Sequence, residues 1–160
     1  MTKTPAVLDP KTLSPRRGSR YPAPHDRPVA GREKRALGDP FGLSQFGVNH
    51  VILPPGTWSS QRHWHAGEDE FILVLSGSLV LVNDQGRHIL TPGMCAGFRA
   101  GDGNGHHLIN DGAEPAVYLE VGTRSEEDHV RYSDIDMEAV KRDGAWAYVD
   151  RRGKFLTSAE

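Results

Sequence analysis

The sequence of 160 residues contains a single cysteine, Cys95, beside eight histidines. One cysteine excludes an internal disulfide framework and any zinc module built from several cysteines. Cys95 lies in an apolar run, and we expect it to be buried as a small hydrophobic residue. If the protein holds a metal ion, histidines and carboxylates must therefore supply the ligands.

Long apolar runs are also missing, and none approaches the roughly 20 residues needed to span a bilayer. The first eleven residues have no apolar core of the kind found in secretory signals. These absences predict a cytoplasmic protein that does not enter a membrane. The chain also has no phosphate-binding loop, dinucleotide fingerprint, serine nucleophile elbow or His-Glu-x-x-His motif.

Residues 1–40 differ in composition from the rest of the chain. They hold seven of the eleven prolines, and nine Lys/Arg against four Asp/Glu give them a net charge of +5. Proline at this density blocks helices and favours extended backbone, so we predict a basic N-terminal arm over 1–40. We do not expect nucleic acid as a partner, because the arm is too short and too rich in proline for a helix-turn-helix. We expect it to lie on the body or on a partner subunit.

Residues 41–122 consist of short β-rich runs separated by turn residues. This spacing predicts an all-β barrel or sandwich, without βαβ alternation. The predicted strands are Gln45–Leu53, Trp58–His65, Phe71–Leu75, Ser78–Asn83, Arg87–Leu90, Cys95–Arg99, His106–Asn110 and Ala116–Val121.

Two further predictions concern the barrel surface and residues 123–160. The run Phe71–Leu75 is apolar on both faces, so we expect the N-terminal arm or a second subunit to cover its outer face, and we predict a homodimer. We expect the C-terminal extension, 123–160, to pack on the outside of the barrel. It contains a candidate short helix at Ile135–Arg142 and a candidate hairpin that pairs Trp146–Val149 with Lys154–Leu156.

The stretch from Gly56 to Gly77 has the pattern of a metal site. Side chains at i and i+2 of a strand point to the same side, so His63 and His65 can face one ion inside a barrel. Glu70 heads the next predicted strand and can complete the site, with Glu68 and Asp69 as less favoured alternatives. A fourth ligand can come from His106 or His107, of which only one can point inward.

These residues resemble the two motifs of the cupin superfamily. His63-x-His65-x4-Glu70-x6-Gly77 fits the first motif, although Gly56 stands one residue too far from His63. The second motif corresponds to Gly93-x5-Arg99-x-Gly101-x4-His106-x3-Asn110. Here Arg99 replaces a proline and the glycine-rich turn is two residues longer, which leaves the shape of the pocket mouth open. The match selects His106 over His107.

The resemblance implies a double-stranded β-helix, the cupin jelly-roll barrel. It further implies one divalent metal ion per chain (Zn, Fe, Mn or Ni) held by His63, His65, Glu70 and His106. The runs 105–110, 118–124 and 132–136 are similar to a bacterial group of small single-domain cupins that is described as sugar-phosphate-isomerase-like.

Position along the strands predicts which side chains surround a small-molecule ligand. Glu120 and Tyr118 share a strand face and are weak candidates for catalytic groups. The cations that we expect near the mouth are Arg99 and Arg62, which are few for a phosphorylated substrate. The predicted pocket residues are Gln61, Ile72, Val74, Phe98, Arg99, Leu108 and Asn110.

The sequence leaves three functions open for a barrel that binds or acts on a small polar metabolite. The first is isomerisation of a sugar or sugar phosphate, in which a metal polarises a carbonyl group. The second is Fe(II)-dependent dioxygen chemistry. The third is a non-enzymatic binding or sensor role.

Overall fold

The computed structural model describes residues 4–142 and 145–156, and there the chain forms thirteen β-strands and three 3-10 helices. The 3-10 helices are Pro10–Thr12, Arg27–Val29 and Asp39–Phe41. The strands are β1 (Arg16–Arg17), β2 (Glu33–Ala36), β3 (Phe46–Leu53), β4 (His63–His65), β5 (Glu70–Ser76), β6 (Leu79–Asn83), β7 (Gly86–Leu90), β8 (Cys95–Phe98), β9 (His107–Ile109), β10 (Ala116–Thr123), β11 (His129–Tyr132), β12 (Glu138–Arg142) and β13 (Ala145–Val149). No helix in the described ranges is long and apolar enough to cross a membrane.

The strands form three antiparallel sheets that make up two facing walls. The first wall is a six-stranded sheet in the order β1-β2-β3-β10-β5-β8. The others have the orders β13-β12-β11-β4 and β7-β6-β9. Backbone hydrogen bonds of 3.1 and 2.8 Å between His63 and His106 join these two smaller sheets into the second wall. The predicted all-β jelly-roll barrel is confirmed.

A hydrophobic core joins the two walls. Alternation along β5 shows how it forms, because Ile72 and Val74 are buried whereas Phe71 and Leu75 are each 43% exposed on the opposite face. Burial of one such aliphatic side chain contributes about 1.5–3 kcal/mol. The core residues are Val51, Leu53, Ile72, Val74, Leu79, Leu81, Leu90, Leu108, Ala116 and Tyr118.

The outer face of the six-stranded sheet is apolar and partly exposed. Cys95 pairs in register with Leu73 on this face and is exposed, so the prediction that it is buried is wrong. The reason is that β8 is the edge strand of the sheet, and side chains that point away from the core there have no neighbouring strand beyond them.

The N-terminal segment is part of the barrel wall. Strand β2 pairs with β3, with Glu33 opposite Ile52 and Arg35 opposite His50. Val29 is completely buried, and the backbone N–H of Trp58 donates to the carbonyl of Pro28 at 2.9 Å. The segment therefore extends the six-stranded sheet beyond β3.

The C-terminal segment continues the second wall. Strand β11 pairs with β4 and places Val130 opposite His65 and Tyr132 opposite His63. The helix predicted at 135–142 is wrong, since residues 138–142 form β12 between β11 and β13. The predicted hairpin is present, with a bridge between Val149 and Phe155. The segment is thus joined edge to edge to the barrel and does not lie on its outside.

Candidate metal centre and cavity

The structure brings the four predicted ligands together. His63 and His65 lie on β4, Glu70 is the first residue of β5, and His106 immediately precedes β9. The Oε2 atom of Glu70 lies 3.7, 3.5 and 3.0 Å from the Nε2 atoms of His63, His65 and His106, respectively. Three imidazole nitrogens therefore converge on one carboxylate oxygen.

This cluster fits a divalent metal ion. Bonds of about 2.1 Å place neighbouring ligand atoms roughly 3.0–3.4 Å apart in octahedral or tetrahedral geometry, close to the separations found here. Glu70 Oε2 is buried and has no hydrogen-bond partner among the described residues, although such an atom normally has one. A metal ion would satisfy this oxygen.

Neighbouring groups fix the orientation of each imidazole. His63 Nδ1 lies 2.9 Å from the carbonyl oxygen of Gln61, and His65 Nδ1 lies 2.6 Å from Oδ2 of Asp128. An Nδ1–H that donates to these oxygens leaves the Nε2 lone pair free for a metal. The ring of His106 stacks on Phe98 with a centroid separation of 3.4 Å and an interplanar angle of 1°.

Burial and charge shift the ionisation of the cluster in different directions. Burial lowers the pKa of His63 to about 3, so its imidazole is neutral, as a metal ligand must be. Burial also opposes the charge of Glu70, but the close contact with His106 and the other two imidazoles hold the pKa of this carboxyl well below its usual range. For His65, burial lowers the pKa, but the hydrogen bond with Asp128 and the negative charges of Glu70 and Asp128 outweigh this effect and raise it.

The alternative ligands lie outside this set of four converging atoms. The ring of His107 is buried against Trp58, and its Nδ1 lies 3.1 Å from the carbonyl oxygen of Ser60. Glu68 accepts a hydrogen bond from the backbone N–H of Ser125 at 2.9 Å. Asp69 accepts one from the backbone N–H of Ala100 at 2.8 Å.

The candidate metal centre lies in a cavity of about 900 Å³. Three of the predicted pocket residues, Ile72, Phe98 and Leu108, line this cavity, as do both weak catalytic candidates, Tyr118 and Glu120. Candidate ligand, apolar and acid–base groups thus share one cavity.

The other four predicted pocket residues lie elsewhere. Gln61 donates its side-chain amide to a carbonyl of the N-terminal segment at 2.7 Å, and Val74 packs in the core. Arg99 is exposed to solvent. Asn110 is completely buried and donates to two backbone carbonyls, at 2.7 and 2.8 Å, so it has a structural role next to the cavity.

The cavity wall carries cations that the sequence analysis did not place there. Arg99 and Arg62, which it did place near the mouth, are outside the lining, and Arg62 is paired with Asp84 and Asp134. The basic composition of residues 1–40 was the one sequence feature that pointed to these cations. The pairing of β2 with β3, which brings the segment to the cavity, has no local sequence signature. The cationic lining residues are Arg16, Arg17, Arg20, Arg32, Lys34 and Arg124.

Asp128 is a second group that the sequence analysis did not assign to the site. Its side chain is completely buried, and its Oδ1 accepts the backbone N–H of Gly67 at 2.9 Å. Burial raises the pKa of a carboxyl, but the hydrogen bond with His65 outweighs it and lowers the pKa of Asp128. Because 63 residues separate the pair, nothing in the sequence near His65 pointed to it.

The two-walled barrel with three histidines and one glutamate directed inward defines the class of protein. Comparison with known proteins gives the same class. The cupin domain family model matches residues 49–122. The chain belongs to the cupin superfamily.

Two solved structures are similar over most of their length. A cupin-superfamily sugar phosphate isomerase from Silicibacter pomeroyi is 46% identical, with 95% of this chain and 97% of that chain covered and a TM-score of 0.90. A putative sugar phosphate isomerase from Acidithiobacillus ferrooxidans is 31% identical, with 80% and 81% covered and a TM-score of 0.72.

Similarity of fold reaches further than similarity of sequence. A polyketide cyclase from Streptomyces resistomycificus is 22% identical over 77% of this chain and 80% of its own, with a TM-score of 0.60. At this identity the likeness concerns the fold alone. The comparison with curated proteins gives no match.

Proposed function

We propose that the protein is a metal-dependent isomerase that interconverts the aldehyde and ketone forms of a small hydroxy-carbonyl compound of the sugar type. The observation that carries the proposal is the convergence of three imidazoles and one carboxylate in a cavity that also contains an oriented second carboxylate, Glu120. The similarity to a sugar phosphate isomerase at 46% identity and to a putative sugar phosphate isomerase at 31% identity supports it.

One divalent ion per chain would be held by His63, His65, Glu70 and His106. When bound, such an ion polarises a carbonyl group and stabilises negative charge that develops on its oxygen. Three imidazoles and one carboxylate suit Zn, Fe, Mn and Ni alike, so the proposal extends to any of these ions.

Glu120 is the candidate base for proton transfer. Its Oε1 accepts hydrogen bonds from Lys34 Nζ and, at 3.1 Å, from Asn49 Nδ2. Both bonds are made to Oε1, which leaves Oε2 for the substrate. Oε2 takes a proton from the hydroxyl-bearing carbon beside the carbonyl and returns it to the former carbonyl carbon, and the hydroxyl proton passes to the former carbonyl oxygen. The reaction needs no oxidant, because only protons and the double bond move.

Tyr118 is the candidate hydrogen-bond donor to substrate oxygen. It is 1% exposed, and burial raises its pKa well above the usual value of 10. The phenol therefore keeps its proton at neutral pH and can donate a hydrogen bond to an oxygen of the intermediate. Tyr118 and Glu120 lie two positions apart on β10 and so face the same side of the sheet.

The direct test is isomerisation in D2O with protein loaded separately with each of the four metals. We expect deuterium to enter the carbon beside the carbonyl, and Glu120→Gln to lower kcat about 100-fold or more with unchanged metal content. Glu114→Gln, an exposed glutamate in the loop before β10, is the matched control and should keep full activity. Retention of full activity by Glu120→Gln would remove Glu120 from the mechanism.

The same assay separates the other two functions that the sequence leaves open. Consumption of O2 without isomer formation would favour Fe(II)-dependent dioxygen chemistry over isomerisation. Tight binding of a metabolite without turnover by any of the metal-loaded forms would favour a sensor role. The cytoplasmic location stays a prediction.

We also infer that the protein is a homodimer. Phe71 and Leu75 are each 43% exposed on the outer face of the six-stranded sheet, and Phe46 of β3 is 37% exposed. A second copy of the chain would remove this apolar surface from water, which is the main driving force for association.

A further inference from the structure

The N-terminal segment forms a cationic wall of the cavity. Four arginines of this segment, Arg16, Arg17, Arg20 and Arg32, line the same space as the candidate metal ligands. Strand β1 supplies Arg16 and Arg17, and its pairing with β2 fixes their place. Arg20 and Arg32 lie outside the strands, in the segments that follow β1 and precede β2.

The charges of this wall are only partly compensated. Arg17 pairs with Glu33 at 2.6 Å. In contrast, neither Arg16 nor Arg20 forms an ion pair or a side-chain hydrogen bond with any residue in the ranges 4–142 and 145–156. Arg32 donates to the backbone carbonyls of Ser59 and Gly18, which carry no net charge.

The remaining cavity charges do not neutralise these three guanidinium groups. Lys34 is paired with Glu120, Arg124 with Asp39 at 2.6 Å and the lining residue Glu68 with Lys141 at 3.7 Å. Glu70 is the carboxylate of the candidate metal cluster. The wall therefore offers positive charge that a substrate anion can meet, since guanidinium groups bind phosphate and carboxylate through paired N–H donors.

Aromatic contacts connect this wall with the candidate metal centre. The ring of His63 is 5.8 Å from that of Tyr132, Tyr132 is 5.5 Å from Tyr21, and Tyr21 is 5.6 Å from Tyr148. Burial raises the pKa of Tyr148, and the positive charges of the arginines act against this rise. A chain of three tyrosines thus runs from His63 to the part of the cavity lining that carries the arginines.

We propose that Arg16, Arg20 and Arg32 bind a phosphoryl group of the substrate while its carbonyl end lies at the metal centre. The proposal depends on the proposed isomerase function only for the end of the substrate that reacts at the metal centre. A phosphomonoester carries close to two negative charges at neutral pH and three acceptor oxygens, which matches several guanidiniums. A single carboxylate would leave most of this positive charge unpaired. The substrate class is accordingly a phosphorylated hydroxy-carbonyl compound.

The test is calorimetric titration of inorganic phosphate into metal-free protein, which removes direct binding of phosphate to a metal. We compare the wild type with the double variant Arg16→Gln/Arg20→Gln. Arg32 is left in place, because its hydrogen bonds anchor the segment. Arg87→Gln is the matched control, since Arg87 is an exposed arginine paired with Asp111 and lies outside the cavity lining.

We expect the double variant to bind phosphate at least about tenfold more weakly, while Arg87→Gln binds like the wild type. Equal melting temperatures would show that the variants are folded. Equal phosphate affinity of the double variant and the wild type would overturn the proposal, and so would a wild type that does not bind phosphate.

Activity assays on metal-loaded protein separate this proposal from the proposed isomerase function. If phosphate binding depends on Arg16 and Arg20 but no sugar phosphate is isomerised, the anion site stands and the isomerase function falls. If neutral sugars are isomerised as fast as their phosphates, and the double variant changes neither rate, the isomerase function stands and the anion site is overturned.

Discussion

The Nδ1 atom of His65 lies 2.6 Å from the Oδ2 atom of Asp128, and the side chain of Asp128 is completely buried. A carboxylate in this position receives the Nδ1–H and directs Nε2 toward the cavity, where Glu70 and the other imidazoles converge. Asp128 comes from the turn before β11, so the C-terminal segment helps to orient a candidate metal ligand on β4.

Asp128→Asn should weaken metal binding without abolishing it. The variant keeps the shape of the side chain and loses the charge, and such changes behind a metal-bound histidine cost roughly 10–100-fold in affinity. Competition with a chelator measures the effect. Glu127→Gln, which changes the exposed neighbour, should bind metal like the wild type. Unchanged affinity in Asp128→Asn would mean that the backbone alone positions His65.

Substitution of His106 should remove the metal ion, whereas substitution of the adjacent His107 should leave metal content nearly unchanged. Of these two residues, His106 places its Nε2 atom 3.0 Å from Glu70 Oε2, while His107 contacts Trp58 and Ser60. We expect His106→Gln to retain less than about 0.1 metal ions per chain after dialysis, and His107→Gln to retain nearly the wild-type content. Elemental analysis decides, and equal losses in both variants would refute the ligand assignment.

The pair formed by Arg62 and Asp134 should make the free energy of unfolding fall at acid pH. The paired hydrogen bonds from Arg62, at 2.9 and 2.7 Å, lower the pKa of the Asp134 carboxyl below its usual 3.8. The unfolded chain therefore takes up this proton first as the pH falls, and the stabilisation present above pH 3.8 is lost below it.

Urea denaturation of Arg62→Gln at pH 7 and pH 3 measures this effect. The variant should lose less stability than the wild type between the two values, by about 1 kcal/mol or less, because Asp134 is largely exposed and the pair is screened. Arg87→Gln, which breaks an exposed pair with Asp111, should follow the wild-type curve. If Arg62→Gln loses as much stability as the wild type between pH 7 and pH 3, the Arg62–Asp134 pair does not cause the pH dependence.

Charges on the outer face of β5 should produce a monomer. Phe71→Asp/Leu75→Asp would place two carboxylates in the proposed dimer interface, where burial of unpaired charge is costly. Light scattering at micromolar concentration should give twice the chain mass for the wild type and the chain mass for the variant. Ile89→Asp, on the exposed strand β7 of the other wall, is the control. A monomeric wild type would refute the dimer.

The barrel and the four candidate ligands could be predicted from the sequence, each from a different feature. Alternation along short strands predicts the barrel, and the same alternation places His63 and His65 on one side of β4. Glu70 follows after a short turn. His106 is 36 residues further along the chain, and the resemblance to the second cupin motif was needed to choose it over His107.

The errors arose where pairing between distant segments decides the structure. Residues 138–142 include good helix formers such as Glu, Ala and Lys, yet hydrogen bonds with β11 and β13 impose a strand. The pairing of β2 with β3 turns an apparent arm into a cavity wall. Neither these pairings nor the pairing of β11 with β4 that brings Asp128 to His65 has a local sequence signature, so Asp128 and the cations of residues 1–40 were not assigned to the site.

The family model matches residues 49–122, but the cavity is completed from both sides of that range. Arg16, Arg20 and Arg32 come before it, and Tyr132 and Tyr148 come after it. Evolution could therefore change the chemical groups offered to a substrate while leaving the candidate metal ligands untouched. Sorting related proteins by substrate should accordingly depend on the flanking segments more than on the shared domain.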